Sequence, residues 1–244
     1  MRGGAGGYRL GVLGGIGPEA SALFYRKLIE HLQKEEYISS NEDYPQIIIN
    51  SIPAPELTSE TITDEMLSPY YRGIQELERF GVDCIVLVCN TIHLYHEQLQ
   101  QCIRVPILDL REAVARELVR RGIRRALLIG TPLTVKRKLY HALHVEILTP
   151  TGAELSQLAH AILAFNRGEK KQQQGATVKK ICLRYVKQGV EIVIAGCTEF
   201  TLMLQGTKLP IIDTLDILVD LTINRMQGGC YGMGNESTLH KGAI

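Results

Sequence analysis

The 244-residue chain has no excess of charge of either sign, no CxxC cysteine pair and no apolar run long enough to cross a bilayer. Its 27 basic and 26 acidic residues nearly cancel. The basic ones are scattered apart from RRGIRR and EKKQ, so the cationic footprint of a nucleic-acid binder is missing. Six cysteines without CxxC spacing suggest neither a zinc site nor a redox dithiol. The N-terminal MRGGAGGYR lacks the apolar core of a signal peptide. The expected location is therefore the cytoplasm, with free thiols, and the expected partner is a small molecule rather than nucleic acid or membrane.

Branched apolar runs alternate with amphipathic stretches, the pattern of an α/β chain with a parallel sheet and crossover helices. Strands are expected at 9–13, 46–50, 84–88, 107–108, 126–129, 145–148, 192–195 and 211–212. Helices are expected at 18–35, 71–79, 111–120, 153–166, 177–187 and 215–226. The halves of the chain also match each other. Gly81 to Cys89 (GVDCIVLVC) lies without a gap on Gly189 to Cys197 (GVEIVIAGC), and each is followed by a proline-led strand, Pro106 to Asp109 and Pro210 to Asp213. Upstream, Gly11 to Gly15 resembles Leu127 to Thr131. This is a duplicated α/β unit. The expected division is 1–109 plus 214–230 as a discontinuous first domain, 110–213 as the second, and 231–244 as a loose tail. The polar stretch Thr58 to Pro69 is a candidate lid.

Ligands of open parallel sheets bind beyond the carboxyl ends of the strands, where each unit delivers one cysteine. Facing each other about a pseudo-twofold, Cys89 and Cys197 suit a two-base reaction at a stereocentre: one thiolate removes a proton from one face of a carbon, and the opposing thiol returns one to the other. Asn90, Thr91 and Thr198 follow these cysteines at turns into helix, where N–H groups and small polar side chains can hold a carboxylate. His93 could orient a carboxylate or protonate a leaving group, or simply cap or pack. Glu199 could hold a substrate ammonium, tune the thiol of Cys197 or cap a helix. Cys84, Cys102, Cys182 and Cys230 have no counterpart in the repeat and read as ordinary small residues.

Gly15-Ile16-Gly17-Pro18-Glu19-Ala20 fits the GxGxxG/A dinucleotide pattern, so a nicotinamide or flavin enzyme is a rival. Against it, Ile47-Ile48-Ile49-Asn50-Ser51 ends without the acidic residue that binds a ribose. The main chain at Gly15 and Ile16 can instead approach a small carboxylate. A third possibility, from another class, is a two-lobed carboxylate-binding protein whose thiols only line a cleft.

GVLGGIGPEASALFYRKL, VLVCNTIH and IAGCTEF, in this order and spacing, resemble the aspartate/glutamate racemase family, closest to its aspartate racemase branch, over about Leu10 to Met226. The resemblance implies an isomerase of two α/β domains around one cleft, often a homodimer, needing neither pyridoxal phosphate nor a metal. It makes Cys89 and Cys197 the acid/base pair, with Cys197 serving the L-enantiomer and Cys89 the D-form. It places Asn90, Thr91, Thr131 and Thr198 on the substrate carboxylate. Aspartate is the leading substrate, with glutamate or a broader range as the alternative. The chain departs from the family at Leu57, where an arginine is expected for the side-chain carboxylate. Arg167, Lys170 and Lys171 are candidate stand-ins.

Overall fold

The computed structural model describes residues 7–34, 38–55, 57, 62–169 and 171–228. The expected tail (231–244), Cys230, Lys170 and the first part of the expected lid (58–61) lie outside the described residues. In chain order the elements are β1 (Arg9–Gly14), α1 (Pro18–Lys34), β2 (Gln46–Ser51), α2 (Asp64–Arg79), β3 (Cys84–Leu87), α3 (His96–Gln101) and α4 (Leu110–Arg120). There follow β4 (Arg125–Gly130), α5 (Pro132–Lys136), β5 (Glu146–Leu148), α6 (Gly152–Asn166), α7 (Lys171–Lys187), β6 (Ile192–Gly196), α8 (Thr198–Met203), β7 (Ile211–Asp213) and α9 (Thr214–Met226).

All strand pairs are parallel and form two sheets, β2-β1-β3 and β5-β4-β6-β7. The plans coincide residue by residue. Leu13 pairs with Leu87 as Ile129 pairs with Ala195, so Cys89 and Cys197 each stand two residues beyond equivalent rungs. Ile85 bridges Ile107 as Val193 pairs with Ile211. The Asp109 and Asp213 carboxylates then accept from the N–H groups of Arg111 and Leu215, capping α4 and α9 alike.

The period-two alternation of the strands sorts the core into layers. Leu10, Val12 and Val86 of the first sheet and Ala126, Leu128 and Ile194 of the second face one shared core that includes residues of α1, α4 and α9. Leu13, Ile85 and Leu87 point the other way, into a core with α2. Leu127, Ile129, Val193 and Ala195 face α6 and α7. Cys84 and Cys182 are buried in these cores, whereas Cys102 is exposed.

Two helices begin earlier than sequence alone suggests. The α2 helix starts at Asp64 and runs through Pro69, because the Thr63 hydroxyl accepts from Met66 N–H and two acids occupy the first turn. The second part of the expected lid is thus the first turns of a helix. The α7 helix passes through Gly175, a poor helix former, because a Cβ there would lie 2.8 Å from the Met203 carbonyl oxygen and hold α8 away. No helix among the described residues is long and apolar enough to cross a membrane.

Candidate active site

A cavity of about 220 Å³ opens between the carboxyl ends of the two sheets. Cys89, Asn90 and Thr91 reach it from the first unit; Thr131, Cys197, Thr198 and Glu199 reach it from the second. Gly15 and Ile16 close another side. The residues brought together are thus those singled out from the sequence, apart from two. Arg167 is exposed at the C-terminal end of α6 and does not line the cavity. His93 is fully buried one turn behind Asn90, outside the lining.

The glycine loop has a local reason. Gly15 (φ +86°) and Gly17 (φ +92°) occupy the left-handed region that glycine enters at little cost. A Cβ on Gly17 would come within 2.7 Å of Oε1 of Glu199, a residue of the opposite unit. The loop therefore receives a carboxylate where a dinucleotide enzyme would receive a pyrophosphate, and that carboxylate would repel such a ligand. The Ser21 hydroxyl accepts from Gly15 N–H at 3.0 Å and holds the turn.

The two thiols have different surroundings. Cys89 is partly buried, and the nearby N–H groups of Thr91 and Ile92 and the Thr91 hydroxyl favour its ionised form. Burial nevertheless outweighs these donors and pushes the thiol up to about 12. Cys197 precedes α8, and its Sγ donates to Oε2 of Glu199 at 2.7 Å. Burial and then the Glu199 charge push this thiol well above its ordinary value, and a negative charge on Cys89 would push it further. A negative charge on one thiol therefore disfavours ionisation of the other.

Three hydroxyls join the units beside the thiols. Thr91 Oγ1 lies 3.1 Å from Thr131 Oγ1 and 2.9 Å from Thr134 Oγ1, and Thr131 Oγ1 lies 3.1 Å from Thr134 Oγ1. Thr131 also caps α5 by accepting from Thr134 N–H. Sequence reasoning missed Thr134 and Tyr140. The buried Tyr140 hydroxyl donates to Asn90 Oδ1 across the interface, which turns the amide so that Nδ2 is the free end. That Nδ2 is buried and has no hydrogen-bond partner among the described residues. Thr134 has a legible signal, since it occupies the third position of a helix begun by Thr131-Pro132; Tyr140 lies in an irregular segment and has none. Among the described residues, no three His, Cys, Asp or Glu side chains are grouped to hold a metal ion.

A profile of the Asp/Glu/hydantoin racemase family matches residues 13–222. The chain belongs to this family. Among its racemase relatives, the broad specificity amino-acid racemase RacX of Bacillus subtilis (strain 168) is 30% identical over 224 residues, which cover 88% of this chain and 96% of RacX. The crystal structure of an aspartate racemase homologue from Pyrococcus horikoshii OT3 superposes with a TM-score of 0.68 at 27% identity, covering 89% of this chain and 98% of that one. The Picrophilus torridus aspartate racemase shares the fold with a TM-score of 0.73 at 21% identity, over 91% of this chain and 95% of its own. The two-unit α/β fold expected from the repeat, and from the resemblance, is the fold of these racemases.

Proposed function

We propose that the protein interconverts the enantiomers of an α-amino acid by proton transfer between Cys89 and Cys197. The observation that carries this reading is the arrival of one thiol from each pseudo-symmetric unit in a single cavity. Buried Asn90 Nδ2, still without a partner, lies beside them. The α-carboxylate binds to Asn90 Nδ2, to the hydroxyls of Thr91 and Thr131, to that of Thr198 once it turns from Glu199 to the substrate, and to the main chain of the glycine loop. The Glu199 carboxylate takes the α-ammonium.

A thiolate on one side breaks the Cα–H bond and becomes a thiol, and the electron pair delocalises into the carboxylate, where the donors stabilise the growing charge. The thiol on the other side then gives its proton to the opposite face and is left as a thiolate. Cys197 deprotonates the L-enantiomer and Cys89 the D-form. Aspartate is a less natural substrate for this cavity than the resemblance implies, because no Lys, Arg or His among the described residues lines it.

The test is proton NMR of L-amino acids, aspartate and glutamate included, with the reduced protein in D2O, followed by separation of enantiomers. Loss of the α-proton signal together with appearance of the D-enantiomer is the expected result. Binding without exchange for every amino acid would leave a carboxylate-binding protein instead.

A further inference from the structure

We infer that the substrate of this site carries an uncharged, apolar side chain. The inference rests on the racemase reading, which fixes where the α-carbon sits, and it adds what the rest of the cavity selects.

The groups able to hold an amino acid's charged ends are gathered at the thiols. Glu199 is bound to Cys197 Sγ at 2.7 Å, and Thr198 Oγ1 donates to the same carboxylate oxygen at 3.2 Å. Its other oxygen sits against Gly17. Asn90, Thr91 and Thr131 form the adjacent donor cluster. Once these have taken the α-ammonium and α-carboxylate, the wall that the described residues leave for the side chain includes Ala54 and Leu57 from the segment after β2, Ile162 from α6, and Asn166 one turn beyond Ile162.

Two members of this wall are anchored. Leu57 is 3% exposed and packs in the core under α2, and Ile162 is 2% exposed and packs in the core of the second sheet. Neither can withdraw to admit water around a charge. Glu199 is the charged residue among those described in the lining. A second carboxylate on the substrate would be desolvated against alkyl groups and repelled by Glu199. A lysine-like ammonium could reach Glu199 only by displacing the α-ammonium. An alkyl or thioether chain, in contrast, gains by covering Leu57, Ala54 and Ile162.

The experiment measures kcat/KM for α-proton exchange and racemisation of L-leucine, L-methionine and L-norvaline against L-aspartate, L-glutamate and L-lysine. The best apolar substrate is expected to exceed each charged one by roughly 100-fold. A charged amino acid ranking first overturns the inference and leaves the racemase reading intact. If none is racemised, that reading falls, and calorimetric binding of the same panel decides the side chain: tighter apolar ligands support the inference, while tighter charged ligands or no binding overturn it.

Leu57→Arg places a cation in the wall and should shift the aspartate-to-methionine ratio of kcat/KM at least about tenfold toward aspartate. Ala54→Arg, at a less buried position, serves if the first variant does not fold. An unchanged ratio in a folded variant also overturns the inference.

Discussion

The segments after β3 and β6 occupy equivalent places in equivalent units, yet they prepare their cysteines in opposite ways. Cys89-Asn90-Thr91-Ile92-His93 superposes on Cys197-Thr198-Glu199-Phe200-Thr201 in the register set by the strands. In the first, position three is Thr91, and nearby N–H and hydroxyl donors favour the ionised sulfur. In the second it is Glu199, and the sulfur itself donates to a carboxylate. Position five is His93 in one unit, whose ring nitrogens have no hydrogen-bond partner among the described residues. In the other it is Thr201, whose hydroxyl donates to Asp213 at 2.7 Å. Equivalent places in the repeat thus hold thiols in different surroundings, one beside N–H and hydroxyl donors and the other bonded to a carboxylate.

The sharpest way to break the comparison is to remove one thiol at a time. Cys89→Ala and Cys197→Ala should each lower racemisation by roughly 1000-fold while circular dichroism and melting remain those of the parent. Exchange of the α-proton in D2O should survive selectively: for the L-enantiomer in Cys89→Ala and for the D-enantiomer in Cys197→Ala. Exchange of the same enantiomer by both variants would end the opposite-face assignment.

Glu199→Gln probes the asymmetry itself. Both thiols lie above the ordinary value of about 8.5, so the ionised fraction, and with it kcat/KM, should still be rising with pH beyond about 9 in the parent. Removing the Glu199 charge lowers both thiols, Cys197 more than Cys89, and moves this rise to lower pH. Loss of the ammonium partner should raise KM roughly tenfold in the same variant. A KM effect with an unmoved pH profile would mean that Glu199 binds substrate without acting on the thiol.

Tyr140→Phe tests a smaller effect, the orientation of the Asn90 amide. Without the Tyr140 hydroxyl the amide can flip, and KM should rise roughly fivefold with kcat nearly unchanged. A fall in kcat alone would give Tyr140 another role.

The fold, and the two cysteines that meet in the cavity, were legible because the repeat carries them twice. The alignment of Gly81–Cys89 on Gly189–Cys197 is the alignment of the strand rungs, and Asp109 and Asp213 mark equivalent helix starts. What escaped depends on contacts between units, which no local pattern encodes. Gly17 reads as a phosphate-loop glycine until the Glu199 carboxylate is seen against it. Tyr140 is an unremarkable loop residue until its hydroxyl is found on Asn90. Arg167, chosen for its charge and place in the sequence, turns toward solvent because α6 ends with it on the exposed side.

The equivalent positions His93 and Thr201 give the mildest test, through stability rather than turnover. Burial holds His93 down to about 4, against an opposing pull from Asp109 and the nearby Leu87 carbonyl. Its folded value lies below the unfolded one of about 6.5, so below that pH the unfolded chain takes up a proton that the native protein refuses. Stability is therefore full above about pH 6.5 and is lost as pH falls toward 4. The loss between pH 7 and pH 5 should be about 2 kcal/mol, measurable by urea unfolding at the two values. His93→Leu should flatten the profile in this window, since a leucine has no proton to take up. The carboxylates held low, such as Glu117 at about 2, titrate below it. A parent protein equally stable at pH 5 and 7 would mean that His93 is charged and partnered in the folded state, and would remove the difference between the two segments at this position.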